Sequence, residues 1–242
     1  MTQNIYDDPS FFQAYGRLPR SIEGLDGAPE WPALRAMLPA IRDRNVLDLG
    51  CGYGWFCRWA RENGALTVTG IDVSELMLAR ARAMTNDPAV GFRRADLETI
   101  GLEAETYCLV FSSLTFHYLK HLEALFRQIH AALISGGSLV FSVEHPIFTA
   151  PLHPGWVERE PGRHSWPVEA YLSEGGRSTD WLVRGVIKQH RTIGTYVDLL
   201  LGQGFRLARL LEWGPSAEQI AAQPALAIER ERPAFLLIAA EK

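Results

Sequence analysis

Val46-Leu47-Asp48-Leu49-Gly50-Cys51-Gly52-Tyr53-Gly54 runs a short apolar strand into a glycine-rich turn, and Trp55, Phe56, Trp59 and Ala60 follow it at helical spacing. Glycines at such a junction let the backbone turn tightly and let a ligand approach the main chain with no Cβ in the way. In open α/β sheets this strand-to-helix turn is where phosphates, dinucleotides and nucleosides bind. A nucleoside triphosphate loop would end in Gly-Lys-Ser/Thr, whereas this one continues as Trp55-Phe56 with no lysine. A dinucleotide fingerprint would place its third glycine at position 55, where Trp55 stands; the glycine falls at 54 instead.

Asp48, two residues before Gly50, chooses among the ligands that remain. A carboxylate beside the turn repels a pyrophosphate and favours a cation. S-adenosylmethionine carries an ammonium and a sulfonium and no phosphate, so charge selects it over NAD. Asp72 stands 22 residues after Gly50, at the end of a second strand, where an acid can accept from both ribose hydroxyls. Asp96 ends a third strand and is placed to accept from an adenine amine. Singly, these acids fit ordinary turn and capping roles. Three acids after three successive strands, beside one glycine turn, form a constellation.

Outward from the turn the pattern is regular. Strands are predicted at 45–49, 66–71, 90–95, 107–111, 138–143, 204–213 and 234–239, with helices at 75–83 (capped by Ser74), 119–133 and 192–201. Short helical pieces, including 31–37, are expected among the prolines of the first forty-odd residues. Strands alternating with helices predict a doubly wound, Rossmann-like α/β sheet, mostly parallel. Residues 146–190 break the rhythm with Pro146, Pro151, Pro154, Pro161, Pro167 and three tryptophans, Trp156, Trp166 and Trp181. A loop of that length inside a compact domain predicts an inserted cap. The expected organisation is one domain over 1–242, with an N-terminal lid segment at 1–44 and the cap at 146–190.

Composition narrows the class further. The 242 residues carry 24 Lys+Arg against 28 Asp+Glu, a net charge of −4, with 47% hydrophobic residues. No block of five like charges appears, so a nucleic-acid partner is not expected. The longest apolar run, 234–240, is far short of the ~20 residues that cross a bilayer, and no membrane association is expected. The first eight residues show no basic-then-apolar leader, which predicts a cytoplasmic chain. Cys51, Cys57 and Cys108 have no Cys or His companions at metal-site spacing, and His145, His153, His164 and His190 lie 8, 11 and 26 apart, so no metal is expected.

Taken together, the chain resembles the class I S-adenosylmethionine-dependent methyltransferases. The resemblance is carried by 46–54, by Gly70-Ile71-Asp72-Val73-Ser74 with 77–81, by Arg94-Ala95-Asp96-Leu97, by 107–113 and by 133–139, and more weakly by 232–236. It implies a seven-stranded sheet with an antiparallel last strand and S-adenosyl-L-methionine across the carboxyl ends of the first four. Gly50, Cys51, Gly52 and Gly54 would line its methionine portion, with Asp48 near the ammonium and Ser113 facing the chain. Asp72 would hold the ribose, Val73 and Met77 would flank the adenine, and Asp96 with Leu97 would bind its edge. Tyr15 and Arg20 would close over the carboxylate. The Asn/Asp-Pro-Pro-aromatic signature of the amino-group methylases of bases and glutamine is absent after the fourth strand, where Ser112-Ser113-Leu114-Thr115-Phe116-His117-Tyr118 stands.

The function expected is methyl transfer to a small-molecule acceptor, driven mainly by positioning. If the acceptor must lose a proton, His117 and His145, which follow the fourth and fifth strands, are the candidate bases. A non-catalytic nucleoside-binding regulator and an NAD(P)-dependent oxidoreductase are the alternatives, the latter disfavoured by Trp55 and Asp48.

Overall fold

The structure, a computed structural model, describes residues 3–242, the side chain of Arg163 excepted; Met1 and Thr2, at the start of the predicted lid segment, lie outside the described residues. Eleven strands form among them: β1 (Asn45–Leu49), β2 (Thr67–Asp72), β3 (Val90–Arg94), β4 (Tyr107–Ser113), β5 (Leu133–Glu144), β6 (Val157–Glu160), β7 (Arg163–Ser165), β8 (Gly175–Trp181), β9 (Val183–His190), β10 (Arg206–Trp213) and β11 (Phe235–Glu241). Seven make one sheet in the order β10-β11-β5-β4-β1-β2-β3. Pairing is parallel from β3 through β5, and β11 runs antiparallel to both its neighbours. The fold is therefore Rossmann-like and mostly parallel, with its last strand reversed, as expected.

The central strands are buried on both faces, and the pleat sends alternate side chains to opposite sides. Leu47, Leu49, Val110, Phe141 and Ile238 pack with the helices Leu122–Ala132 and Ile193–Gly202. Val46, Leu109, Phe111, Val140 and Leu237 pack on the other face with the helices Trp31–Arg35, Trp55–Glu62 and Glu75–Ala83. The rings of Phe56 and Phe111 stack there with centroids 3.6 Å apart. Each fully buried side chain of this size contributes roughly 1.5–3 kcal/mol.

Ser74 caps the helix Glu75–Ala83 by accepting the Met77 N–H at 3.1 Å. Asp7, from the N-terminal segment, adds a second cap by accepting the Leu76 N–H at 3.1 Å and the Ser74 hydroxyl at 2.6 Å. The segment is thus tied to the end of β2. The helix predicted over 119–133 begins only at Leu122, because Phe116–Tyr118 forms a separate 3-10 turn. At its other end the chain passes directly into β5 at Leu133, five residues before the predicted start of that strand.

Residues 146–190 hold a helical turn, Pro146–Thr149, and two antiparallel ribbons, β6-β7 and β8-β9. Within them Phe148, Trp156 and Trp166 surround the guanidinium of Arg232, at 4.3–5.3 Å from the ring centroids. This aromatic cage joins the insertion to the segment that precedes β11. Phe11 and Tyr15 of the N-terminal helix Pro9–Tyr15 meet Trp181 edge-on, at 5.5 and 6.4 Å.

Candidate active site

A cavity of about 380 Å³ lies where the carboxyl ends of β1, β2, β4 and β5 meet the N-terminal segment and the insertion. That volume falls in the range of about 300–1,000 Å³ typical of small-ligand sites. Its floor is the glycine turn. Gly50 has φ +78°, and both its N–H and that of Cys51 donate to the Ile71 carbonyl, at 2.7 and 3.0 Å. A Cβ on Gly50 would come within 2.0 Å of Thr115 Oγ1, so only glycine fits. At Gly52, φ +51°, a Cβ would meet nothing within 4 Å, which leaves the main chain open to a ligand.

Asp48 shares the Val46 face of β1 and so points toward the helix Trp55–Glu62. It is 2% exposed, lines the cavity, and accepts a hydrogen bond from Cys57 Sγ at 3.3 Å. Burial pushes its carboxyl up to about 7; the Cys57 bond opposes this and the nearby charge of Asp72 adds to it. Such a group is stabilised by an arriving cation. Asp72 accepts the backbone N–H of Gly52 through Oδ2 and that of Ser74 through Oδ1, both at 2.9 Å. Burial raises its carboxyl as well, with these amide bonds opposing.

Val73, Met77, Asp96 and Leu97 complete the wall beyond β2 and β3. Asp96 Oδ1 accepts the Glu98 N–H at 3.0 Å. Cys51 and Ser113 also line the cavity, and Ser113 Oγ accepts from Ser142 Oγ at 3.3 Å. Leu114, next to it, adopts φ +53°, a strained conformation held by hydrogen bonds from its N–H to the Ser142 carbonyl and hydroxyl, at 2.9 and 3.2 Å. From the N-terminal segment come Tyr15 and Arg20, the latter gripping the buried Glu30 at 3.0 and 3.2 Å.

Two residues of the predicted set sit elsewhere. Gly54, φ +70°, stands outside the lining; a Cβ there would strike Phe92, so this glycine serves the turn into the helix Trp55–Glu62 and its packing. His145 also lies outside. Its Nε2 is 2.9 Å from Glu212 Oε1, and its Nδ1 accepts the Ile147 N–H at 3.0 Å, capping the turn Pro146–Thr149. Both ring nitrogens are engaged away from the cavity. His117 does line it, but its Nδ1 accepts the Glu144 N–H at 3.3 Å. Burial, with Lys188 and Arg191 nearby, holds this imidazole well below its usual range. It is neutral, with its lone pair spent on a main-chain amide.

Of the other wall, sequence reading singled out only Trp181, as one of the three tryptophans of the insertion. Tyr6, Tyr118, Glu144, Phe148, Trp181 and Arg232 line it, from five separate stretches of chain. The Tyr6 and Tyr118 hydroxyls are 3.3 Å apart. No local spacing announces such a set, since its members arrive on different elements.

The donor set fits S-adenosylmethionine: a buried carboxylate with no cation paired to it among the described residues, a second acid held by two main-chain amides at the end of β2, and a turn with open main chain. Among known proteins, a family model described as a methyltransferase domain matches residues 47–141. A crystal structure of an S-adenosylmethionine-dependent methyltransferase from Mesorhizobium loti is 52% identical, covers 90% of this chain and 100% of its own, and superposes with a TM-score of 0.87. A Haemophilus influenzae protein is 30% identical across 99% of this chain and 97% of its own length. A malonyl-[acyl-carrier protein] O-methyltransferase from Enterobacter lignolyticus is 39% identical, but over only 46% of this chain and 43% of its own.

Proposed function

The chain belongs to the S-adenosylmethionine-dependent methyltransferases, and from that premise we propose that it methylates a small-molecule acceptor held beneath residues 146–190. One observation carries this reading: the cavity that contains the glycine turn, Asp48 and Asp72 continues without a break to Phe148 and Trp181 of the insertion. Its far wall is thus supplied by the segment that interrupts the fold. An aromatic-rich cavity of this size suits a small acceptor better than a nucleic-acid strand, and the chain offers no basic run to grip phosphates.

Bound S-adenosylmethionine supplies an electrophilic methyl on a sulfonium. Asp48 offsets the ligand's positive charge, and Asp72 accepts from its ribose while holding Gly52 in place. Asp96 and Leu97 take the adenine edge, and Val73 and Met77 its faces. Tyr15 and Arg20 close the carboxylate end. The aromatic residues of the N-terminal segment and insertion exclude water, and fixed geometry provides most of the acceleration.

The acceptor of the Enterobacter relative is not carried over, because the similarity spans less than half of either chain. Titration calorimetry with S-adenosylmethionine and S-adenosylhomocysteine tests the cofactor part of the reading. Micromolar binding of both is expected. Absence of heat with either ligand overturns it.

A further inference from the structure

The acceptor end of the cavity contains an acid that the cofactor does not use. Glu144 is the last residue of β5. Its Oε1 is paired with Lys188 Nζ at 2.5 Å, and Lys188, itself 3% exposed at the side chain, lies 4.9 Å from the Trp181 ring centroid. Its Oε2 is buried and has no hydrogen-bond partner among the described residues. A carboxylate oxygen kept from water without a donor is costly, and a donor brought by a ligand would relieve that cost.

The other groups on this wall are committed. His117 has given its lone pair to the Glu144 amide, while His145 lies outside the cavity with both nitrogens occupied. Burial, with the Glu144 charge second, keeps the Tyr118 phenol protonated. Glu229 also lines the cavity, but its Oε2 is the atom that faces Arg232 Nη1, at 3.0 Å. Glu144 differs: it lines the cavity, the lysine holds one of its oxygens, and the other has neither a cation nor a donor beside it among the described residues.

We propose that Glu144 Oε2 receives the reacting O–H or N–H of the acceptor and takes its proton, so that the acceptor is a hydroxyl or a neutral amine and not a carboxylate. This rests on the methyltransferase reading above. The acceptor's lone pair forms the bond to the methyl carbon, and the carbon–sulfur bonding pair leaves with the sulfur. The proton on the acceptor atom passes to Oε2 and goes to solvent when the product departs. Lys188 is the positioning residue: its ion pair fixes the carboxylate through Oε1 and leaves Oε2 to the acceptor. An acceptor that was already an anion would meet like charge at this atom.

The test begins with the whole chain, methyl-labelled S-adenosylmethionine and a cell metabolite extract, with the label located by mass spectrometry. Label on a hydroxyl oxygen or an amine nitrogen is expected, and its position separates the two. Label on a carboxylate oxygen or on carbon overturns the proposal. For that product, Glu144→Gln is expected to lower kcat at least about 100-fold, with Glu144→Asp recovering part of it. S-adenosylhomocysteine affinity in both variants should stay within about twofold of the parent, which shows that the fold and cofactor site survive. Parental kcat in Glu144→Gln also overturns the proposal. A parent that fails to bind S-adenosylmethionine overturns the methyltransferase reading itself, and one that binds it but labels nothing overturns the proposed transfer together with the part assigned to Glu144.

Discussion

Asp72 Oδ2 accepts the backbone N–H of Gly52 at 2.9 Å, so the carboxylate that ends β2 holds the glycine turn that leaves β1. Its other oxygen takes the Ser74 N–H and thereby sets the start of the helix Glu75–Ala83. One side chain therefore organises two ligand-facing segments before any ligand arrives.

Asp72→Ala removes both anchors as well as the carboxylate proposed to hold the ribose. S-adenosylmethionine affinity is expected to fall by about 10- to 100-fold, the weight of one or two charge-assisted hydrogen bonds. Calorimetric titration measures it. An unchanged Kd would show that Asp72 acts on neither the turn nor the ligand.

Asp48 links stability to pH. Its carboxyl titrates near 7 in the folded protein, above the ordinary carboxylate value, so between about pH 4 and 7 the folded state binds more protons than the unfolded state. Stability should therefore fall as pH rises through that window, by at most about 1.4 kcal/mol per pH unit. Asp48→Asn lacks this slope, and its Tm relative to the parent is expected to climb from pH 4 to 7 and then level off. At pH 6, binding of S-adenosylmethionine should release protons, read as a dependence of the calorimetric enthalpy on the buffer's ionisation enthalpy. Parallel Tm curves for parent and variant would exclude a raised Asp48.

Gly50→Ala meets both a positive φ and the Thr115 side chain. A loss of at least about 2 kcal/mol in urea unfolding is expected. Gly91→Ala is the control: it lies in β3 with nothing within 4 Å of its Cβ position, and should change stability by less than about 0.5 kcal/mol.

Trp181 touches Phe11 and Tyr15 of the N-terminal helix and Lys188 of its own ribbon. Trp181→Ala should cost about 1–3 kcal/mol. It should also speed amide exchange in two places at once, residues 9–15 and 175–190. Faster exchange confined to the ribbon would show that the two segments are not coupled through this ring.

Much of the glycine-turn side of the cavity was legible in the chain because local rules govern it. Strand–glycine–helix junctions, a serine before a run of helix formers, and acids at strand ends are all read within a few residues, and Ser74 caps where its pattern places it. The histidines were a different matter. Position after a strand says that a residue stands at the ligand edge, but not where its ring turns. His145 turns away because Pro146 starts a helical turn whose free amide the ring caps. His117 stays at the cavity with its lone pair already used.

By itself, then, the sequence determined the sheet and the glycine turn that leaves β1, since each depends on periodicity or on contacts between near neighbours. Only the tertiary structure decided the wall opposite the glycine turn. Glu144 and Lys188 are 44 residues apart, and Tyr6 and Tyr118 are separated by 112. They meet because β5, the β8-β9 ribbon and the N-terminal segment close over one cavity, and which lone pair is left free there depends on every neighbour that the fold brings in.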